Sequence, residues 1–206
     1  MSKAKLTVIG SNDTDQELED IINSIQGFYH TEEEAAFFAE KVVYKRAKKG
    51  TVLLKEGQLV KTTFFLFKGC VREFYLKDGE EKTVAFYTDG ECLSDDLKKY
   101  TKAASTVTWQ CVTDCIISVF HFEDEKEMYR RFPRIESACR IENEKQYAQY
   151  KEAMHQFLAF SPEERYEHLL STKPELFQLV PLYHIASYLG VKPESLSRIR
   201  NRLRAS

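Results

Sequence analysis

The 206-residue sequence lacks the features that mark several large classes of protein. No apolar run approaches the roughly 18 residues that indicate a membrane-spanning helix, and Met1–Asn12 contains no apolar signal-peptide segment. The cysteines are odd in number and include no CxxC pair, so free thiols are expected. These absences predict a cytoplasmic protein that does not interact with membranes.

Signatures of catalysis and of metal binding are also missing. GxSxG, HExxH and P-loop motifs do not occur. A β-barrel enzyme of the cupin type would need a His-x-His pair on a barrel strand, and residues 42–120 contain no histidine. Cys111 and Cys115 are spaced like half of a zinc site, but no second Cys/His pair has suitable spacing. We therefore expect neither an enzyme nor a metal site.

The charge is small overall but unevenly distributed. The formal net charge is −2, and hydrophobic residues make up 43% of the chain, as in a globular protein. Anions outnumber cations in residues 1–160, whereas cations outnumber anions in residues 161–206. Residues 192–204 contain one anion, Glu194, and these cations: Lys192, Arg198, Arg200, Arg202 and Arg204. Such a local excess of cations is typical of nucleic-acid contacts.

The middle of the chain has the pattern of a small β domain. Glycines recur at short intervals, at positions 50, 57, 69, 79 and 90. Short runs rich in β-branched and aromatic residues lie around and between them: Val42–Lys45, Val52–Leu54, Thr63–Phe67, Cys70–Leu76, Thr83–Tyr87, Ser105–Val112 and Cys115–Phe120. Short strands separated by turns predict a barrel or sandwich.

Helical patterns flank this region. Leu18–Ile25 has helical apolar spacing, and Thr31 with Glu34 predicts a capping box before a second helix. A long helix is predicted from Pro133 to about Phe157, with a thin apolar stripe: Ile135, Cys139, Tyr147, Tyr150, Met154 and Phe157. A thin stripe favours a self-paired dimerisation helix. Packing of this helix on its own barrel is the alternative.

A new segment begins at Ser161-Pro162-Glu163-Glu164. Serine as the cap, proline at the first helical position and glutamate at the third form a strong helix start. The predicted domains are therefore a β-roll domain over residues 1–132, a dimerisation helix and hinge over residues 133–160, and a DNA-binding domain over residues 161–206.

The most specific pattern lies in Leu182–Leu203. Two short helical runs flank Gly190, which can adopt the positive φ of a sharp turn. Ala186 is small enough to let the two helices approach, and Pro193 suits the first turn of the second helix. This spacing predicts a helix-turn-helix, whose second helix enters the major groove of DNA. Polar residues suited to contact bases and phosphates line its outer face: Glu194, Ser195, Ser197, Arg198, Asn201 and Arg202.

Together these segments resemble the cyclic-AMP receptor protein/FNR (Crp/Fnr) family of bacterial transcription regulators. The strongest match is IASYLGVKPESLSRIRNRL, which is similar to members common in Bacteroidetes-like bacteria. The resemblance implies an α+β fold with an N-terminal cyclic-nucleotide-binding-type β-roll (jelly-roll) and flanking helices, a long dimerisation helix and a C-terminal helix-turn-helix domain. The family's base-reading Glu and Arg fall on Glu194 and Arg198. Pro193 replaces a further Arg, so one base contact is expected to be missing.

The effector region matches the family only in part. Gly90-Glu91 resembles the start of the phosphate-binding cassette, but Ala104-Ser105 stands where cyclic-nucleotide binders have Arg-Ser. Asp95-Asp96 would repel an anion. Lysines of the same loop could compensate, although loop lysines are usually solvated: Lys98, Lys99 and Lys102. The resemblance implies a pocket for an unknown ligand, with cyclic AMP not expected, at Gly90, Glu91, Ala104, Ser105, Tyr147 and Tyr150.

The resemblance also bears on cofactors and partners. No cysteine precedes Cys70, so the N-terminal iron–sulfur cluster of one branch is not expected. The implied partners are a second copy of the chain, palindromic double-stranded DNA and RNA polymerase. A different interpretation stays open, in which a cyclic-nucleotide-binding-like ligand module has lost DNA binding. Pro193, the short tail after Leu203 and the lack of an apparent wing hairpin in Lys173–Pro181 leave room for it.

Overall fold

The structure is a computed structural model that describes residues 16–205, without the side chains of Gln26, Arg204 and Ala205. The signal-peptide prediction rests on Met1–Asn12, which lies outside the described residues. Two compact units are present: residues up to Arg72 with Phe86–Glu136, and Glu73–Ala85 with Ser137 onward. Within residues 16–205, no helix combines the length and the apolar character that a membrane span requires.

The N-terminal helices are α1 (Gln16–Ile25) and α2 (Glu32–Lys41), with a short 3-10 turn at Gln26–Phe28 between them. The apolar face predicted for α1 is confirmed. Its buried side chains, Leu18 and Ile22, join a cluster with Val42 at the end of α2 and with the sheet residues Tyr44 and Ile116.

The capping box predicted at the start of α2 is half formed. The Thr31 hydroxyl accepts the backbone N–H of Glu34. The Glu34 carboxylate, however, accepts the backbone N–H of His30 instead of that of Thr31. The same carboxylate oxygen also lies 2.8 Å from the Arg134 guanidinium, so it has two partners.

The β-roll consists of two four-stranded sheets. Its strands are β1 (Val43–Ala47), β2 (Val52–Leu54), β3 (Thr62–Lys68), β4 (Val71–Lys77), β5 (Glu80–Tyr87), β6 (Cys92–Leu93), β7 (Thr108–Cys111) and β8 (Cys115–His121). One sheet has the order β1-β8-β3-β6 and the other the order β2-β7-β4-β5. Each of the seven predicted runs overlaps a strand. The run Ser105–Val112 is the least accurate, because only Thr108–Cys111 is strand.

Aromatic side chains fill the interior of the β-roll. Trp109, which is buried, packs edge-on against Phe64 and Tyr87 with ring centroids 6.1 and 6.5 Å apart. Leu66 and Leu93 are fully buried as well. Aromatic burial of this kind supplies much of the hydrophobic stabilisation of a small domain.

A short helix, α3 (Asp96–Thr101), lies between β6 and β7. Two helices follow the β-roll, α4 (Phe122–Arg131) and α5 (Pro133–Ala159). The long helix predicted from Pro133 to about Phe157 is thus confirmed and extends two residues further. Only its first turn is buried, at Ile135.

The C-terminal segment is entirely helical. It contains α6 (Pro162–Thr172), α7 (Leu176–Leu179), α8 (Leu182–Tyr188) and α9 (Pro193–Ala205). The predicted capping box is present, since Ser161 and Glu164 each accept the other's backbone N–H. Residues 122–205 contain no strand, and Lys173–Pro181 holds α7 in place of a wing hairpin.

Candidate nucleic-acid interface and effector region

The turn between α8 and α9 has the geometry that its glycine predicts. Gly190 has a φ of +72°. The N–H of Val191 donates to the carbonyl of Ala186 at 2.9 Å, and the N–H of Gly190 donates to the carbonyl of Ser187 at 3.1 Å. These two bonds form a Schellman motif, in which the left-handed residue is usually glycine. The turn therefore ends α8 sharply and lets the chain reverse into α9.

The two helices pack through the residues predicted to face inward. Ala186 is fully buried, as expected for a small residue where two helices approach. The other buried side chains of this contact are apolar: Ile185, Leu189, Leu196 and Ile199. Leu196 and Ile199 place one face of α9 in the core, so the opposite face is left to solvent.

That outer face carries the residues predicted to contact bases and phosphates. Most of them are exposed: Glu194, Ser197, Arg198, Asn201 and Arg202. Ser195 is half-buried. The Arg198 Nε donates to the carbonyl of Glu194 at 3.4 Å, so the arginine lies back along the helix over the preceding turn. The face offers guanidinium, amide, hydroxyl and carboxylate groups, which are the groups that read base edges.

Two of the basic residues differ from simple solvated cations. Arg202 forms an ion pair with Glu163 of α6 at 3.1 Å. Arg200 is half-buried, and its Nε has no hydrogen-bond partner among residues 16–205. Arg204, the last cation of the basic run, has a side chain outside those that the structure describes.

The apolar stripe of α5 is exposed over most of its length. Tyr147 is 71% exposed and Met154 is 59% exposed, and the stripe continues at Tyr150 and Phe157. Large apolar side chains in a row on one helix indicate a surface that a partner covers. The two N-terminal members of the stripe differ, because Ile135 is buried in the first turn and Cys139 is half-buried.

Gly90 and Glu91 form a closed turn at the end of β5. Gly90 has a φ of +86°, and its N–H donates to the carbonyl of Leu66 at 2.7 Å. The Glu91 carboxylate accepts the backbone N–H of Thr88 at 2.5 Å and the Thr88 hydroxyl at 3.2 Å. Glu91 thus stabilises its own turn in this structure.

Ala104 and Ser105 differ in their exposure to solvent. Ala104 is exposed and forms an isolated β-bridge with Leu59. Ser105 is buried, and its hydroxyl donates to the carbonyl of Val107 at 2.9 Å. Tyr147 and Tyr150, the remaining predicted pocket residues, are exposed and belong to the second unit.

No helix is predicted between Gly90-Glu91 and Ala104-Ser105, but the structure has α3 (Asp96–Thr101) there. Asp95 caps it by accepting the N–H of Lys98 at 3.1 Å. Asp96 accepts a hydrogen bond from Ser94 and pairs with Lys99. The two aspartates expected to repel an anion are therefore engaged within their own segment.

Lys99, expected among the solvated lysines, is buried. Its side chain is 1% exposed, and its ammonium lies 2.8 Å from carboxylate oxygens of both Asp96 and Glu125. It also donates to the Thr63 hydroxyl at 2.8 Å. Burial disfavours the charged form, but the two carboxylates outweigh it, so the pKa of Lys99 is raised. The ammonium holds α3 against β3 and α4. Because it is already paired with two carboxylates, it is not available to bind an anionic ligand.

Cys111, at the end of β7, and Cys115, at the start of β8, are the pair spaced like half of a zinc site. Within residues 16–205, no group of three or more His, Cys, Asp or Glu side chains is arranged to hold a metal ion. Both cysteine side chains are buried, and the interaction with the neighbouring Cys111 thiol lowers the pKa of Cys115.

Comparisons with known proteins agree with this architecture. Residues 44–132 match the family model of the cyclic nucleotide-binding domain, a stretch that runs from β1 to the end of α4. No curated protein matches the sequence significantly.

Three solved structures of regulators have a similar fold. CLP from Xanthomonas campestris, described as a c-di-GMP responsive global regulator, has a TM-score of 0.65 at 17% identity, covering 85% of this chain and 92% of its own. FixK2 from Bradyrhizobium japonicum has a TM-score of 0.64 at 15% identity, over 80% and 85% of the two chains. A CooA variant from Carboxydothermus hydrogenoformans has a TM-score of 0.65 at 15% identity, over 93% and 86%.

These structures are Crp/Fnr-type regulators, and they confirm the fold class predicted from the sequence. The chain combines helix and sheet in a β-roll of the cyclic-nucleotide-binding type, followed by a series of C-terminal helices.

Proposed function

We propose that the chain is a Crp/Fnr-type transcription regulator of the Bacteroidetes-like subgroup, which binds palindromic double-stranded DNA as a homodimer. The observation that carries the proposal is the α8–turn–α9 pair. Its glycine turn and buried apolar contacts support a helix-turn-helix, and the exposed polar face of α9 supports insertion into the major groove.

The proposed dimer forms through α5. Two recognition helices must lie about 34 Å apart to reach successive turns of the major groove. With 27 residues, α5 is the longest helix described, and its exposed stripe suits pairing with a second copy. The expected domains remain residues 1–132, 133–160 and 161–206.

In this proposal the β-roll modulates DNA binding through a pocket whose ligand is unknown. We propose a cytoplasmic protein with RNA polymerase as a further partner and without enzymatic activity, metal or iron–sulfur cluster. The proposed pocket residues stay those named from the resemblance: Gly90, Glu91, Ala104, Ser105, Tyr147 and Tyr150.

The test is selection of DNA sites from a random library by the purified full chain, followed by titration at several salt concentrations. A selected palindrome, bound with an affinity that falls steeply with salt, supports the proposal. Recovery of no preferred sequence would instead favour a ligand-binding module that has lost DNA binding.

Replacing Arg198 by alanine is expected to lower affinity by about 1–3 kcal/mol and to relax the preference at one base pair of each half-site. Arg198 lies one turn after Glu194, so both project from one face of α9. Arginine can donate two hydrogen bonds to a guanine, and glutamate can accept one from a cytosine. Site selection with the variant measures the preference at each position.

The matched control is Arg202→Ala. Arg202 is proposed to contact phosphates, so its loss should weaken binding to all sequences and reduce the salt dependence. An Arg198→Ala protein that loses affinity but keeps the wild-type preference would show that Arg198 does not read a base.

Cyclic AMP is expected to bind weakly or not at all. The arginine implied by the resemblance is absent beside Ser105, and the nearby Lys99 ammonium is held by Asp96 and Glu125. A cyclic phosphate is best bound by a bidentate guanidinium. Isothermal titration calorimetry with cyclic AMP checks this, and a micromolar dissociation constant would contradict it.

A further inference from the structure

The connection between α5 and α6 is very short. Only Phe160 and Ser161 separate the last residue of α5, Ala159, from the first residue of α6, Pro162. The capping box fixes the start of α6, because Ser161 is bonded at both its N–H and its hydroxyl. The direction in which the C-terminal helices leave α5 is therefore set within two residues and by the side chains packed around them.

Phe157 of α5 and Arg165 of α6 pack against each other beside this connection. The Arg165 guanidinium carbon lies 4.4 Å from the centroid of the Phe157 ring, a cation–π contact. The Arg165 Nε is buried and has no hydrogen-bond partner within the described residues. An arginine that forgoes a hydrogen bond to lie on a ring contributes by its planar shape, which lysine lacks.

The turn before the recognition helix lies against the same two side chains. The position that a Cβ of Gly190 would take is 3.4 Å from Cζ of Phe157 and 3.5 Å from Nη1 of Arg165. The ring and the guanidinium thus lie beside the turn from which α9 starts, close enough to meet any side chain added there. One contact joins the end of α5, the start of α6 and the turn of the helix pair.

A small rotation of α9 about this contact would displace the residues proposed to contact bases. With 13 residues, α9 is about 20 Å long. The proposed base-contacting residue Arg198 lies about 8 Å along the helix from Pro193, so a tilt of about 12° moves it by about 1.7 Å. The same tilt in both copies of the dimer would change the separation of the two residues by about 3.4 Å, the rise of one base pair of DNA. A loose contact would therefore let the recognition helices reach half-sites one base pair closer together or further apart.

We propose that Phe157 and Arg165 act as a wedge that fixes α9 relative to α5 and so selects the spacing between the two DNA half-sites. They are positioning residues, since neither lies among the proposed base-contacting residues of α9. The inference rests on the proposed function, and it adds what determines the number of base pairs that the dimer prefers between its two half-sites.

The experiment measures affinity for palindromes whose spacer is shortened or lengthened by one or two base pairs around the best wild-type spacer. Arg165→Met is the main variant, because it removes the guanidinium and keeps a side chain of similar length. It should lower the discrimination between the best and the neighbouring spacers by about fivefold or more, the size of a typical coupling between two sites. The base preference within each half-site should not change.

Three further variants distinguish a loss of helix positioning from a general loss of folding or dimerisation. Phe157→Leu removes the ring and should act like Arg165→Met, whereas Phe157→Tyr keeps the ring and should behave as wild type. Glu167→Met, at an exposed position of the same helix, should have no effect. Because Phe157 also belongs to the α5 stripe, sedimentation must show that each variant is as dimeric as the wild type.

The outcomes are distinct. Arg165→Met with wild-type spacer discrimination, or with an equal loss of affinity at every spacer, overturns the wedge while the proposed function stands. A wild-type protein that binds no palindrome overturns the proposed function and the wedge with it. An Arg165→Met protein whose affinity varies less with spacer length than that of the wild type, with an unchanged base preference in each half-site, supports the wedge.

Discussion

Replacing Met154 by aspartate is expected to make the protein monomeric and to lower its affinity for a palindromic site by about 100-fold or more, because the avidity of two linked half-site contacts is lost. Met154 lies in the exposed stripe of α5, with 59% of its surface accessible in the single chain. Pairing of two stripes would bury this side chain, and a carboxylate in its place would be buried without a partner.

Sedimentation velocity gives the oligomeric state, and fluorescence anisotropy with labelled DNA gives the affinity. Ala148→Asp is the matched control. Ala148 is exposed on the same helix but points about 100° away from Tyr147, on the side away from the stripe. The Ala148→Asp substitution adds the same charge as Met154→Asp and should leave the dimer intact. A wild type that is monomeric and still binds a palindrome tightly would contradict the proposed role of α5.

Replacing Lys99 by methionine should destabilise the β-roll by about 3–5 kcal/mol, the usual cost of removing one partner from a buried ion pair. The variant would leave the Glu125 carboxylate buried without its cation and the Thr63 hydroxyl without its donor. Urea unfolding followed by tryptophan fluorescence is well suited to the measurement. Trp109 is the only tryptophan of the chain and is buried in the β-roll.

The control for Lys99 is its neighbour. Lys98 is half-buried and belongs to the same helix, and Lys98→Met should change stability by no more than about 0.5 kcal/mol. The double variant Lys99→Met/Glu125→Met should be less destabilised than the sum of the two single variants, because it leaves no charge unpaired in this pair. Equal effects of Lys98→Met and Lys99→Met would show that the buried network contributes little.

The parts that could be predicted from the sequence are those whose signals are local. The α8–α9 pair depends on Ala186, Gly190 and Pro193, which lie within eight residues of one another, and on apolar residues at helical spacing. The capping box at Ser161 is equally local. The strands were found to within a few residues because glycines and β-branched runs alternate over short distances.

The parts that could not be predicted depend on residues far apart in the chain. Lys99 is buried because Thr63 and Glu125, which lie 36 and 26 positions away, are folded against it. Nothing near Lys99 in the sequence distinguishes it from Lys98. Helix α3 is short, and its cap at Asp95 was the one local signal that could have revealed it. The pocket residues and the DNA contacts still rest on the resemblance and on residue chemistry.

The division of α9 into a buried and an exposed face has an evolutionary consequence. Leu196 and Ile199 hold the helix in the core, so substitutions there would be removed by selection for folding. Exposed positions such as Ser197 and Asn201 do not contribute to that packing. Descendants of this protein can therefore change the sequence they recognise by single substitutions that leave the fold stable, and duplicated copies can diverge to new operators quickly.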